Sequence, residues 1–273
     1  MKRQSYFKDK RRDTIFEQKY IPFGTRTDFA IYRDKKGHKF LRNDKLDYAL
    51  YLKPGGHIPK TGLALAKVLE RFNVKGLKVL DVGTGENAFL AIHAKNLGAR
   101  SVYAIDPDST AVRWGKLNLK LNKLSSKIFL KKIGIEEYKS KHNFDIIIAN
   151  LPQMPVKVNR SLHDDGGFDG REYILKLIER AKNLLERKGI LLFAAFDFLG
   201  IKNSYNPQKP TILKILKENG YRFSIALVLN KKVLPGSYTL KNLSHIKSVY
   251  PGYRFIKRGG TMMYKIFIIE AYY

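Results

Sequence analysis

From Leu77 onward the chain alternates short apolar runs with amphipathic stretches. The runs at 78–82, 101–105, 128–132, 144–149 and 190–196 have the length and branched side chains of strands buried on both faces. Between them, 86–97, 109–122 and 170–186 place apolar residues at helical spacing. This rhythm predicts right-handed strand–helix–strand crossovers and an α/β, doubly wound parallel sheet. A helix over 211–219 and strands over 222–230 and 262–271 complete the pattern. Upstream, Tyr20-Ile21-Pro22-Phe23-Gly24 and Phe29-Ala30-Ile31-Tyr32 read as short strands, with Asp34-Lys35-Lys36-Gly37 as a turn. Thr61 is placed to cap a helix whose Leu65, Val68, Leu69 and Phe72 share a face. The organisation read from these signals is a basic arm over 1–19, a small accessory segment over 20–60, and an α/β domain over 61–273 that carries a basic insertion at 231–260.

The strand at 78–82 runs directly into a glycine turn, giving V-L-D-V-G-T-G-E-N-A over 79–88. Gly83 and Gly85 permit a tight turn and a close backbone approach, and the helix that follows opens with unpaired N–H groups. The next strand delivers Asp106, 21 residues after Gly85, where a carboxylate suits the two hydroxyls of a ribose. Gly83, Gly85 and Ala88 also satisfy the G-x-G-x-x-A of dinucleotide binders, so NAD is a competing ligand. Asp81 tilts the balance, because its charge would repel a pyrophosphate and welcome an ammonium. Asn87 stands where a third glycine is common, and Asn enters left-handed backbone more readily than most residues.

The strand at 144–148 ends in Ala149-Asn150-Leu151-Pro152-Gln153. With the glycine turn, this end resembles the class I S-adenosylmethionine methyltransferases, in particular the HemK-type and N6-adenine branch that carries N-P-P-Y here. The run Gly166-Gly167-Phe168-Asp169-Gly170 resembles the segment that follows in HemK-type enzymes, and Tyr20 to Gly24 resembles their extended segment before the catalytic domain. The resemblance implies a Rossmann-like methyltransferase sheet with an antiparallel edge hairpin and a small N-terminal extension. It implies S-adenosylmethionine as cofactor, held by Asp81, Gly83, Thr84, Gly85, Asn87, Asp106 and Pro107, with Asn150, Leu151, Pro152 and Gln153 as the catalytic segment. An amide or exocyclic amine has its lone pair delocalised. Accepting its two N–H groups, with the Asn150 side-chain oxygen and the Leu151 carbonyl, would orient that lone pair for in-line displacement without a strong base. Pro152 would fix the loop. An Asn-Leu-Pro strand end is also a common plain turn. Gln153 replaces the family's aromatic residue and can only hydrogen-bond or lie flat, so Phe168 or Tyr173 would have to supply a ring. After the third strand the chain reads Ile133-Gly134-Ile135-Glu136, which leaves adenine contact to backbone N–H groups or to Glu136.

Charge adds a partner. The 273 residues hold 52 Lys and Arg against 24 Asp and Glu, a net of +28. Residues 1–79 carry 20 basic and 8 acidic side chains and residues 221–273 carry 9 and 1, so the flanks hold much of the excess. Such a surface gains affinity for a polyanion, RNA above all, by releasing counterions. In the insertion, Tyr238, His245, Tyr250, Tyr253, Arg254, Lys257 and Arg258 interleave rings with cations, either as single-stranded nucleic-acid binders do or as a long hairpin excursion. Trp114 reads as a packing residue against the sheet or a border of the adenine pocket. The absence of cysteine excludes disulfides, zinc ribbons and thiol nucleophiles, and six scattered histidines form no H-E-x-x-H pattern, so no metal site is expected. His163-Asp164-Asp165 reads as a solvated loop. No apolar run approaches the ~18 residues of a membrane span, and the polar N-terminus lacks a secretory stretch, which points to the cytosol. The expected function is an N-methyltransferase acting on RNA or a ribonucleoprotein component, with room for a protein activator. The alternatives are a HemK-type protein glutamine methyltransferase and a non-catalytic binding module.

Overall fold

Asp34 closes the turn at 34–37 with its own side chain, whose Oδ1 accepts from the Lys36 and His38 N–H groups at 3.0 and 2.9 Å while Gly37 takes φ +79°. The turn joins β2 (Phe29–Asp34) to β3 (Lys39–Asn43), and β1 (Thr14–Lys19) and β4 (Tyr48–Leu52) extend them into an antiparallel meander of order β1-β2-β3-β4. The computed structural model describes residues 29–56, 59–158, 161 and 163–273, together with the backbone of β1. The strand read at Tyr20 to Gly24 and the first 13 residues lie outside that set. The basic arm expected to reach Lys19 ends in strand β1, whose backbone pairs with β2 and satisfies that edge.

Residues 1–134 form one compact unit and residues 135–273 a second. In the first unit β5 (Lys78–Val82), β6 (Ser101–Asp106) and β7 (Ile128–Lys132) run parallel, with Asp81 opposite Ala104 and Tyr103 opposite Phe129. Their inner residues, Val79, Leu80, Val102, Ala104 and Ile105, are fully buried, as expected of strands joined by the helices α2 (Phe89–Asn96) and α3 (Ser109–Leu121). Helix α1 (Lys60–Leu69) precedes them and buries Leu63, Leu65, Val68 and Leu69. It starts directly after Pro59 with no side-chain cap, so Thr61 lies inside the helix rather than at its start, and Phe72 falls beyond its end.

The accessory meander is bonded into this unit. Strand β4 ends its sheet, and its outward backbone groups would be orphans without a partner. Two asparagines one helical turn apart on α3 supply it. Asn118 accepts from the Tyr51 N–H at 2.7 Å and donates to the Tyr51 carbonyl at 3.2 Å. Asn122 does the same for Ala49 at 3.0 and 2.7 Å. Side-chain amides thus stand in for a further strand. Asn118 Nδ2 also donates to the Glu86 carbonyl at 3.3 Å, and Lys53 pairs with the Glu86 carboxylate, which ties the meander to the residue after Gly85. Trp114 stacks on Tyr51 of β4, with centroids 5.6 Å apart.

In the second unit β8 (Phe144–Ala149) runs parallel to β9 (Leu185–Phe196), and β12 (Thr261–Tyr272) and β10 (Arg222–Lys232) follow antiparallel, in the order β8-β9-β12-β10. The expected edge hairpin is present. Helices α4 (Glu172–Ala181) and α5 (Ile212–Glu218) are shorter than their apolar patterns, while β9 starts five residues before Ile190, because Leu185 already pairs with Phe144 ahead of a kink in which Lys188 takes φ +71°. The insertion is folded, not open: it contains α6 (Tyr238–Lys241), α7 (Leu243–Val249) and β11 (Ile256–Arg258). His245, Tyr250 and Tyr253 are buried there, with Tyr250 Oη donating to the Asp169 carbonyl at 2.6 Å and Tyr253 Oη to Asp197 at 2.8 Å. The two tyrosines are core with satisfied polar tips, and His245 is buried beside them, so these three rings are not the base-stacking platform that their spacing with cations suggested. Among the described residues no helix is long and apolar enough to cross a membrane.

Replacing Asn118 by Ala would remove the partner of both backbone groups of half-buried Tyr51. We expect a loss of about 1–3 kcal/mol, read as a lower urea midpoint at unchanged slope.

Candidate active site

Three consecutive amides of the glycine turn find their acceptors at the end of β6. The Gly83 and Thr84 N–H groups donate to the Ile105 carbonyl at 2.9 and 3.1 Å, and the Gly85 N–H donates to Asp106 Oδ2 at 2.8 Å. Both glycines sit at φ +68°, backbone that a side chain would strain. A Cβ on Gly85 would meet nothing within 4 Å, so open space faces the turn there. The other Asp106 oxygen accepts from the Asp108 N–H at 2.9 Å, and Asp108 caps α3 by accepting from Thr110 at 2.8 Å. The predicted acid is therefore in the turn's own hydrogen-bond frame, and a carboxylate accepts about four such bonds in all. Pro107 is exposed beside it.

Left-handed backbone appears at Ala88, φ +44°, and not at Asn87. The smallest side chain is placed there because Gly115 of α3 packs opposite, where an added Cβ would stand 3.5 Å from that of Ala88. Asn87 is half-buried in the preceding turn. Asp81 is sealed from solvent beneath the turn: Oδ2 accepts from Thr84 Oγ1 at 2.6 Å and from the Ala91 N–H of α2 at 3.0 Å, while Oδ1 has no hydrogen-bond partner among the described residues. Burial pushes this carboxyl up to about 7, against the pull of those two bonds, and nearby Asp106 adds to the rise. A buried, half-compensated negative charge under an open turn favours a cationic ligand and opposes a pyrophosphate. The turn thus fits a nucleoside carrying a sulfonium and an ammonium better than it fits NAD.

In the second unit Asn150, Leu151 and Pro152 follow β8 half-buried. Gln153 turns inward and is 3 % exposed. Its Nε2 donates to the carbonyls of Leu151 at 3.3 Å and Ala194 at 3.2 Å, and its Oε1 accepts from the Phe196 N–H at 2.7 Å. It is a strut between the strand end and β9, not a surface for a planar substrate, and it already engages one side of the Leu151 carbonyl. The 164–170 loop is laced to the same segment: Met154 N–H donates to the Asp164 carbonyl at 2.8 Å, Gly166 N–H to Met154 at 2.8 Å, and Val156 N–H to Gly167 at 3.1 Å. A Cβ on Gly166 would lie 2.5 Å from Gln153 Cα, and one on Gly170 2.6 Å from the Gln153 carbonyl, so both glycines are required for the close approach. Phe168 stands on this loop 65 % exposed, edge-on to His245 at 4.8 Å, while His245 Nε2 donates to the Phe168 carbonyl at 2.8 Å. Tyr173 packs under Lys176. Glu136 pairs with Lys176 at 2.6 Å, which holds its carboxyl below the usual range.

A strand, a glycine turn, a helix and an acid ending the next strand, on an α/β fold that finishes in an antiparallel edge pair, define the class I S-adenosylmethionine-dependent methyltransferases. The sequence model for ribosomal protein L11 methyltransferase (PrmA) matches residues 17–162, more than half of the chain. The chain belongs to this family, whose methyl donor is S-adenosylmethionine. It is 29% identical to the ribosomal protein L11 methyltransferase of Lactobacillus acidophilus over 82% of its own length and 62% of that protein's. It is 36% identical to the Bacillus subtilis L11 methyltransferase over 50% of its length and 44% of that protein's, so it spans less than two thirds of either. A Methanocaldococcus jannaschii protein, placed provisionally by its name among protein N5-glutamine methyltransferases, is 29% identical over 52% of this chain and 74% of its own. The crystal structure of the M. jannaschii tRNA m1G37 methyltransferase shares the fold, with a TM-score of 0.50 and 17% identity over 91% of this chain and 58% of that one.

The Asp81 carboxyl carries a pH prediction. Its folded value lies above the ordinary carboxylate range, so its contribution to stability is full below about pH 4 and is lost as pH rises through about 7. Relative to Asp81→Asn, the ligand-free protein should lose about 3 kcal/mol of stability between about pH 5 and pH 8, measured by thermal melts of both proteins across that range.

Proposed function

We propose that this chain transfers a methyl group from S-adenosylmethionine to a nitrogen of a ribosomal or other ribonucleoprotein component. The carrying observation is the open turn at Gly85 above the sealed Asp81 charge, held in register by Asp106. When bound, the cofactor supplies an electrophilic sulfonium methyl. The chain's own part begins with the turn, whose glycines let the backbone approach the nucleoside while Asp106 accepts from the ribose hydroxyls in addition to its backbone donors. Asp81 favours the cofactor's positive charge from beneath. In the second unit, the Asn150 side-chain oxygen and the remaining face of the Leu151 carbonyl accept the N–H groups of the target and orient its lone pair. Pro152 and the inward Gln153 hold that segment still.

Within the class, the HemK-type branch is the finer reading. It is favoured by the Gly166 to Gly170 loop and by the glutamine-methyltransferase name of one relative. The inward Gln153 speaks against it, because no ring at that position faces a flat amide or adenine. The L11 methyltransferase relatives favour a ribosomal target, and the net charge of +28 favours one that contains RNA.

Incubation with methyl-labelled S-adenosylmethionine and purified ribosomal subunits, followed by separation of RNA from protein, tests the proposal. Label is expected in a single component. No label in any ribosomal fraction, with S-adenosylmethionine retained in calorimetry, would make the chain a binding module. Asn150→Ala is expected to lower kcat roughly 10²–10³-fold while leaving the cofactor Kd unchanged. Asp106→Ala should instead raise that Kd.

A further inference from the structure

The longest stretch of the chain without an acid runs from residue 219 to residue 269 and carries nine cations. It contains β10, the insertion, β11 and most of β12, so strand register decides which of those cations meet. Along β12, Met263, Lys265 and Phe267 alternate with Met262, Tyr264 and Ile266 and therefore share one face of the sheet. Residues directly opposite in an antiparallel pair share a face as well. Lys232 stands opposite Met263, Val228 opposite Phe267, and Arg258 opposite Thr261, two residues before Met263. The bulge in β10 falls between Ile225 and Leu227, ahead of these positions, and leaves their alternation intact. Lys202, in the segment after β9, lies over the Phe267 ring at 5.9 Å and so joins the same face. The opposite face, with Tyr264, packs against the insertion, where Thr239 Oγ1 lies 3.3 Å from Tyr264 Oη.

Met263 pairs with Ile256 of β11 and with Lys232 of β10, so these two strands flank β12 on opposite sides, about 10 Å apart. Since β12 is antiparallel to both β9 and β10, β10 runs parallel to β9 and to β8. Lys232, its last residue, thus lies at the sheet edge where β8 delivers Asn150. Lys202, Lys232 and Arg258 are exposed, and none forms an ion pair among the described residues. Lys265 is half-buried near Asp197, an acid that is itself buried and accepts from Tyr253 Oη at 2.8 Å. Unpaired cations on neighbouring strands attract a phosphate backbone whatever its sequence. The surface between them is aliphatic, with Met263 and a 45% exposed Val228, and the Phe267 ring is capped by Lys202. It offers no free π-face to an unpaired base and no polar group to a base edge.

We propose that this face of β10, β11 and β12 docks the phosphate backbone of RNA beside the Asn150 segment, without reading bases. The choice of RNA as the polyanion rests on the ribonucleoprotein reading above, while the docking itself requires no methyl transfer.

The test is fluorescence anisotropy of the full chain with a labelled mixed-sequence duplex RNA over a series of salt concentrations, with polyglutamate as competitor. The triple variant Lys202→Gln, Lys232→Gln, Arg258→Gln should weaken binding at least about tenfold and flatten the slope of log K against log salt by about 2. A control triple variant, Lys116→Gln, Lys120→Gln, Arg113→Gln, removes the same charge from α3 and should change binding less than about twofold. Thermal melts check folding, and Lys232→Gln alone, expected to flatten the slope by about 1, decides the matter if the triple variant does not fold. An unchanged slope in the folded variants would overturn the proposal. So would an equal loss in the control, which would make net charge the cause, or displacement of RNA by polyglutamate at matched charge, which would mark the face as one for an acidic protein. Because binding is read without turnover, a failed methylation assay leaves this result standing, and the reverse holds equally.

Discussion

The hydrogen bond from the Gly85 N–H to the Asp106 carboxylate, 2.8 Å long, is the constraint on which the first unit depends. A turn of left-handed glycines takes the chain off the strand ladder and leaves its amides without partners. Here the amides of Gly83, Thr84 and Gly85 all close on the last two residues of the neighbouring parallel strand, so the turn's shape is dictated by the β5–β6 register. The same carboxylate accepts from Asp108, the residue that caps α3. One side chain therefore couples the turn, the strand and the start of the helix that carries the asparagine strap. The strap returns to the turn through the Glu86 carbonyl. What results is a loop held at both ends by polar contacts that only this arrangement satisfies.

The second unit meets a similar demand with a different residue. A strand end followed by Pro152 has irregular backbone that needs acceptors and donors, and Gln153 supplies both in one buried amide. Its inward turn is enforced by Gly166 and Gly170, which bring a second loop within contact of the Gln153 backbone. Tyr238, His245 and Tyr250 of the insertion then bind Asp165 and the carbonyls of Phe168 and Asp169. The insertion is thus scaffolding for the loop beside the Asn150 segment. Its aromatic residues carry polar tips because they are buried where loop carbonyls need donors.

Charge and fold are nearly independent in this chain. The net charge is +28, and among the described residues only Arg42 and Arg171 are buried cations, while the other lysines and arginines are exposed or half-exposed. Between Ser109 and Lys132, one of the stretches without an acid, the spacing of the cations is set largely by a helix and a strand.

Much was legible in the chain before any coordinate. The strands at Lys78–Val82, Ile128–Lys132 and Phe144–Ala149 have the expected bounds, and in the first and third this is because buried parallel strands must be nearly continuously apolar, their ends marked by glycine and asparagine; the end strand at Ile128–Lys132 is largely exposed instead. The glycine turn and its partner acid were equally visible, since left-handed backbone and an acceptor at a fixed distance leave few residue choices. The strap of Asn118 and Asn122 left only a faint trace, two poor helix formers four residues apart, and the left-handed residue at Ala88 left none. Local pattern determined the class of fold and the position of the cofactor turn, because those are set by neighbours along the chain. Only the tertiary structure decided that Gln153 faces inward, that Tyr250 and Tyr253 of the insertion are core, and that Phe129 is exposed, because the direction of a side chain is settled by groups distant in sequence that compete for the same space and the same hydrogen bonds.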